Sequence, residues 1–160
     1  MGGKTGMKFK TLFMETTRIE ASQTVGEIQK ILGKYGASAI RTDYEKGEVV
    51  SVSFTITLNG DQIPFRLPCR WEAVYKIFKA RIKKHNEEFF LKREQEWTSQ
   101  AKRVAWRQIL RWVEAQLALT ETGMTKLHEV FMPYLLMDKG QTLFERLESQ
   151  NWRFQIEHKK

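Results

Sequence analysis

The sequence is poor in the residues that most enzymes and secreted domains rely on. It has one cysteine, Cys69, three prolines, and three histidines at 85, 128 and 158. A single cysteine excludes an intrachain disulfide framework, so nothing points to an oxidising compartment. The histidines lie far apart and Cys69 has no cysteine or histidine near it, which leaves no metal-ligand spacing. Cys69 follows Pro68 directly and reads as a small apolar residue at a strand-to-helix junction. No apolar run approaches the roughly 20 residues of a membrane span, and no signal-peptide pattern is visible. Gly3-Lys4-Thr5 has neither the upstream glycine nor the launching strand of a phosphate-binding loop. No Ser–His–Asp order is evident. Asp43, Glu45, Glu48 and Asp61 fall at expected hairpin ends, without the acid-x-lysine strand pattern of metal-dependent nucleases. The expectation is a non-catalytic chain with no cofactor and no metal, soluble and cytoplasmic.

Aromatic residues and positive charge are plentiful. The 160 residues are 41% hydrophobic and include 10 Phe, 4 Tyr and 5 Trp, enough to bury a core. Net charge is +8, unevenly spread. Residues 70–111 carry 12 Lys and Arg against 5 acids, whereas 1–69 carry 9 against 7 and 112–160 carry 6 against 7. Such concentration is the footprint of a polyanion partner, DNA or RNA.

The stretch Trp97 to Leu119 organises this picture. On a helix, Arg103, Arg107, Arg111 and Glu114 fall on one narrow arc, while Trp97, Ala101, Val104, Ala105, Ile109, Trp112, Val113 and Leu117 cover most of the rest. Arginines at i, i+4 and i+8 repel one another unless negative charge lies across them. That charge is either an external phosphate row or the protein's own carboxylates.

Before this helix, Lys8 to Glu15 reads as a strand. Thr24 with Glu27 reads as a capping box for a helix over 23–35, closed by Gly36. Val50, Val52, Phe54, Ile56 and Leu58 alternate with Ser51, Ser53, Thr55 and Thr57, which predicts a strand with one apolar and one hydroxyl face. Asn59-Gly60 signals a hairpin. The returning strand turns Ile63, Phe65 and Leu67 inward, and its prolines place it at the sheet edge, with its outer face expected in solvent. Trp71, Val74, Tyr75, Phe78 and Ile82 then recur at helical spacing and are expected to pack on the sheet, leaving Lys76, Lys79, Arg81, Lys83 and Lys84 outside. Helix, three strands, helix is formally the order of double-stranded-RNA-binding domains. Arg70-Trp71-Glu72-Ala73 stands where those domains place a basic run. His85 to Glu96 is charge-dense and reads as the least ordered connection, carrying Phe89 and Phe90 inward. Lys126 to Phe131 predicts a short helix that Pro133 stops, Lys139-Gly140 a turn, and Thr142 with Glu145 a second capping box. Phe131 to Met137 is read as buried rather than as a docking patch, and Trp152 and Phe154 as tethers of a polar tail.

The fold class expected is α+β: an N-terminal helix with an antiparallel three- or four-stranded meander, packed on a C-terminal helical part. The divisions expected are a flexible start (1–15), a sheet lobe (16–69), a helical lobe sharing its core (70–150) and a tail (151–160).

Several stretches resemble small uncharacterised proteins encoded by bacteriophages, prophages and related bacterial mobile elements. They are Thr16-Thr17-Arg18-Ile19, Thr24-Val25-Gly26-Glu27-Ile28, Gly36-Ala37, Phe65-Arg66-Leu67-Pro68, Ala105-Trp106-Arg107 with Trp112-Val113-Glu114-Ala115-Gln116, and Phe131-Met132-Pro133-Tyr134-Leu135. The resemblance implies a mobile-element setting inside a bacterial cell and no particular reaction. The functional expectation is a nucleic-acid-binding accessory protein. Arg103, Arg107 and Arg111 would meet phosphates, assisted by Lys76, Lys79, Lys83 and Lys84, with Trp71, Trp106 and Trp112 near enough in sequence to stack on bases. The alternative is an inhibitor or adaptor that binds a host or phage nucleic-acid enzyme.

Overall fold

A computed structural model describes residues 11–83 and 86–153, with the side chain of Lys83 outside the description. The fold is α+β, with helices at Ala21–Lys34 (α1), Trp71–Lys83 (α2), Glu87–Lys92 (α3), Glu94–Glu121 (α4), Leu127–Val130 (α5) and Leu143–Ser149 (α6). Strands Ala39–Glu45 (β1), Glu48–Leu58 (β2) and Asp61–Pro68 (β3) form an antiparallel sheet in the order β1-β2-β3. The chain divides into two compact units that interleave in sequence. One comprises Met1–Val25 with Cys69–Arg111, the other Gly26–Pro68 with Trp112–Lys160. Helices α1 and α4 each begin in the first and end in the second.

In the second unit, Asn59 and Gly60 both take positive φ and close the β2–β3 hairpin, as Asn-Gly turns do. Val52, Phe54 and Ile56 of β2 and Phe65 and Leu67 of β3 are buried. Phe131 caps this apolar face, with ring centroids 5.1 Å from Phe54, 6.4 Å from Phe65 and 5.4 Å from Trp112. The expected short helix ends at Val130, and Pro133 sits in a 3-10 turn at Met132–Tyr134. The following segment runs along β3: Leu135 bridges Phe65, and Leu136 N–H donates to the Pro64 carbonyl at 2.9 Å. Thr142 caps α6 as expected. Its hydroxyl accepts from Glu145 N–H at 3.2 Å, and Glu145 Oε2 accepts from Thr142 N–H at 2.8 Å.

The hydroxyl face of the sheet departs from expectation. Ser51 and Ser53 are buried, and Arg66 is tied to Glu145 at 3.0 Å rather than left to water. Because α6 lends its capping glutamate to that arginine, this side of β3 carries structure of its own.

In the first unit, residues Phe13 to Thr16 form a turn, with Glu15 N–H donating to the Leu12 carbonyl. The strand expected over Lys8 to Glu15 is therefore absent from its described part, and residues 8–10 lie outside the described residues, as does the Gly3-Lys4-Thr5 motif. Helix α1 begins at Ala21, so Thr24 is inside it rather than at its cap. There its hydroxyl donates to the Glu20 carbonyl at 3.4 Å. A threonine in a helix satisfies its hydroxyl one turn back, which mimics the capping pattern in sequence only.

Helix α2 carries an aromatic cluster that it shares with the two helices that follow it. Phe78 meets Trp97 at 5.9 Å, Tyr75 meets Phe90 at 5.8 Å, and Phe90 stacks on Trp97 at 6.3 Å. The connection expected to be least ordered thus contains α3, opened by Asn86, whose side chain accepts from Phe89 N–H at 3.0 Å. Phe90 is buried as expected. Phe89 is 43% exposed, with the Arg93 guanidinium 5.0 Å from its ring centroid. His85 lies outside the described residues.

Candidate nucleic-acid interface

Helix α4 fixes the arginine row, and the row turns inward. Arg107 is only 5% exposed, and its Nη1 donates to Thr24 Oγ1 at 3.4 Å. Arg103 donates through Nε to Gln100 Oε1 at 3.1 Å and pairs with Glu20 at 3.3 Å. Arg111 is half-buried and also holds a partner within the chain. An open phosphate-binding row is therefore not what these residues form: the centre of the row is closed to any external ligand. The physical reason is that Glu20, just before α1, and Thr24, in its first turn, lie against this arc, and a buried guanidinium must find acceptors inside the fold.

Sequence reasoning missed Gln100 on this arc and Gln108 beside it. Gln100 Nε2 donates to the carbonyls of Glu15 and Thr17 at 2.8 and 2.9 Å, and Gln108 Nε2 donates to the Phe13 carbonyl at 2.8 Å. Arg81 of α2 pairs with the Glu15 side chain. Together they hold the irregular segment before α1, whose backbone carbonyls lack ladder partners. The signal was present in the spacing 100, 103, 107, 111, but polar residues at helical spacing look alike whether they face water or a loop.

The lysines behave differently. Lys76 and Lys79 stand exposed on α2 and make no ion pair among the described residues. Lys83 falls on the same helical arc, and Lys84 lies outside the described residues. Arg70, also exposed, precedes the helix. Lys102 lies 4.7 Å from the ring centroid of half-buried Trp71, whose edge meets Tyr75 at 6.1 Å. Of the expected stacking residues, Trp106 is 1% exposed, whereas Trp71 and Trp112 are both half-buried, Trp112 with its ring packed against Phe131 and Tyr134.

Charge follows the division of the fold. The unit Met1–Val25 with Cys69–Arg111 holds 16 Lys and Arg against 7 acids, a net +9, and the other holds 11 against 12, a net −1.

Burial pushes the Cys69 thiol up to about 12, which keeps it protonated and unreactive near neutral pH. Asp43 is engaged by Ser51, whose hydroxyl donates at 2.6 Å, and by Arg41 at 3.0 Å. Among the described residues no group of three His, Cys, Asp or Glu is placed to hold a metal ion. Tyr75 donates its hydroxyl to Glu94 at 2.8 Å; burial first, then that bond, raises its pKa. Among the described residues no helix is long and apolar enough to cross a membrane.

Comparison with known proteins adds no assignment: no protein-family model, no curated protein and no solved structure matches this chain.

Proposed function

We propose that this chain is a non-catalytic nucleic-acid-binding accessory protein, of the kind phages and mobile elements encode, and that α2 rather than α4 carries its phosphate contacts. The observation that supports this is the segregation of charge, +9 in one unit against −1 in the other, with Lys76 and Lys79 exposed and outside any ion pair among the described residues. Lysines on a solvated helix face neutralise phosphates without reading bases, which suits sequence-tolerant binding. Trp71, held beneath Lys102, supplies a flat surface at the same helix.

The test is binding of duplex and single-stranded oligonucleotides across a salt series. Neutralising about three phosphates gives a slope of log affinity against log salt of roughly −3 on duplex. Reversing Lys76 and Lys79 together to Glu is expected to abolish measurable binding. Absence of binding at low salt, or affinity unmoved by the double reversal, overturns the reading.

A second reading, an adaptor or inhibitor that binds a protein partner, is favoured by Phe89 and Leu91 on α3, 43% and 59% exposed, and by Ile77 on α2 at 41%. Apolar side chains beside exposed lysines are ordinary interface chemistry. A partner captured from bacterial lysate that survives nuclease treatment, and is lost on Leu91→Asp, supports this reading over the first.

A further inference from the structure

β1 pairs with β2 along one side, and among the described residues nothing pairs with the other. Natural sheets blunt such edges with lysines, prolines or bulges. β1, with the sequence AIRTDYE, has no lysine or proline, and of its charged residues Arg41 and Asp43 already offset each other at 3.0 Å. The register shift between Asp43 and Tyr44 skips Val50, so the extra residue belongs to β2 and β1 itself runs regularly. Arg41 has a side chain 71% exposed, and Tyr44 is 65% exposed although it stands on the apolar face with Ile40 and Thr42.

We propose that this edge pairs with the same edge of a second copy of the chain, antiparallel and two-fold about Thr42. The register follows from which residues each centring sets opposite one another. A two-fold axis normal to the sheet sets like face against like face, so residues pair only when their numbers sum to an even value. Centring on Arg41 opposes two arginines, and centring on Asp43 opposes two aspartates. Like charges directly across a ladder are destabilising. Centring on Thr42 sets Arg41 opposite the partner's Asp43 twice and Ile40 opposite the partner's Tyr44 twice. These are an opposite-charge pair and an aromatic–β-branched pair, the two kinds that stabilise cross-strand positions. The Asp43 carboxylate, already bonded to Arg41 and Ser51, is held in place to receive the second guanidinium. Ile40 covers the ring that is otherwise exposed at Tyr44.

Sedimentation velocity over a concentration series tests this directly. The intact chain is expected to move from 18.9 kDa toward twice that mass as concentration rises. Arg41→Asp and Asp43→Arg should each weaken association by about tenfold or more. An equimolar mixture of the two variants should recover it, because the like charges each brings to its own pairing become opposite charges in the mixed pair. A salt bridge within one chain cannot produce that recovery. Thr42→Cys should cross-link across the axis on mild oxidation, with Cys69, 7% exposed, too buried to compete. A chain that stays monomeric at hundreds of micromolar, a dimer indifferent to Arg41→Asp, or a mixture that fails to associate overturns the proposal. Arg41 is exposed enough that its reversal leaves folding intact, so it decides the matter even if Asp43→Arg does not fold.

Discussion

The two units hold their irregular segments by opposite means. In the cation-rich unit, residues 12–20 are fastened by side chains: Gln100 and Gln108 donate to their carbonyls, Arg81 pairs with Glu15, and Arg103 with Glu20. In the sheet unit, the stretch from Leu135 to Leu143 is fastened by backbone. Leu136 N–H meets the Pro64 carbonyl at 2.9 Å, Met137 N–H meets Gln141 at 2.7 Å, and Leu143 N–H meets Leu135 at 2.8 Å. Side-chain fastening spends polar groups that would otherwise face solvent. This explains how a unit of net +9 holds several of its arginines in place without displaying them. Positive charge in a sequence is therefore not the same as positive charge on a surface.

The contrast makes the sheet unit depend on packing, and that is where the largest effect is expected. Phe131 is fully buried and touches Phe54, Phe65 and Trp112. Phe131→Ala removes the shared ring and leaves a void, at a cost of about 3–5 kcal/mol in denaturant unfolding. A loss below about 1 kcal/mol would mean that backbone bridges, not the aromatic cluster, carry this unit.

The cation-rich unit should answer to a polar deletion instead. Gln100→Ala strips two carbonyls of their donor, for a loss of about 1–3 kcal/mol. The sharper readout is hydrogen exchange. Amides of residues 12–20 should lose protection while those of β2 and β3 keep theirs, since that segment opens locally once its side-chain ties are cut. Uniform loss of protection in both units would erase the distinction between them.

Much of the architecture was readable from residue patterns because those patterns have one physical solution. Alternation from Val50 to Leu58, the Asn59-Gly60 turn and the Thr142–Glu145 box each specify a backbone geometry, and each is present. The pattern Thr24-x-x-Glu27 failed because helix α1 starts three residues earlier, and nothing local says where a preceding helix begins. Phe89 and Phe90 are adjacent and chemically identical, yet only Phe90 is buried, since consecutive residues on a helix point about 100° apart. The candidate interface was legible as composition but not as geometry. Arg103, Arg107 and Arg111 were correctly placed on one arc, and the arc's partner, the Glu20–Thr24 end of α1, lies 83 residues away in sequence. Periodicity carries no information over that distance.

The smallest expected effect bears hardest on the proposed role. If Lys76 and Lys79 are surface charge rather than fastening, the double reversal to Glu should change stability by no more than about 0.5 kcal/mol, as substitutions away from buried networks do. Both lysines lie in a unit of net +9, so reversal relieves some repulsion within it. Matched thermal melts and oligonucleotide titrations on the same protein separate the two contributions: binding lost with stability intact places the lysines on a working surface. Binding and stability lost together would show that α2 is stitched into the fold as α4 is, and the difference between lysines displayed and arginines consumed would vanish.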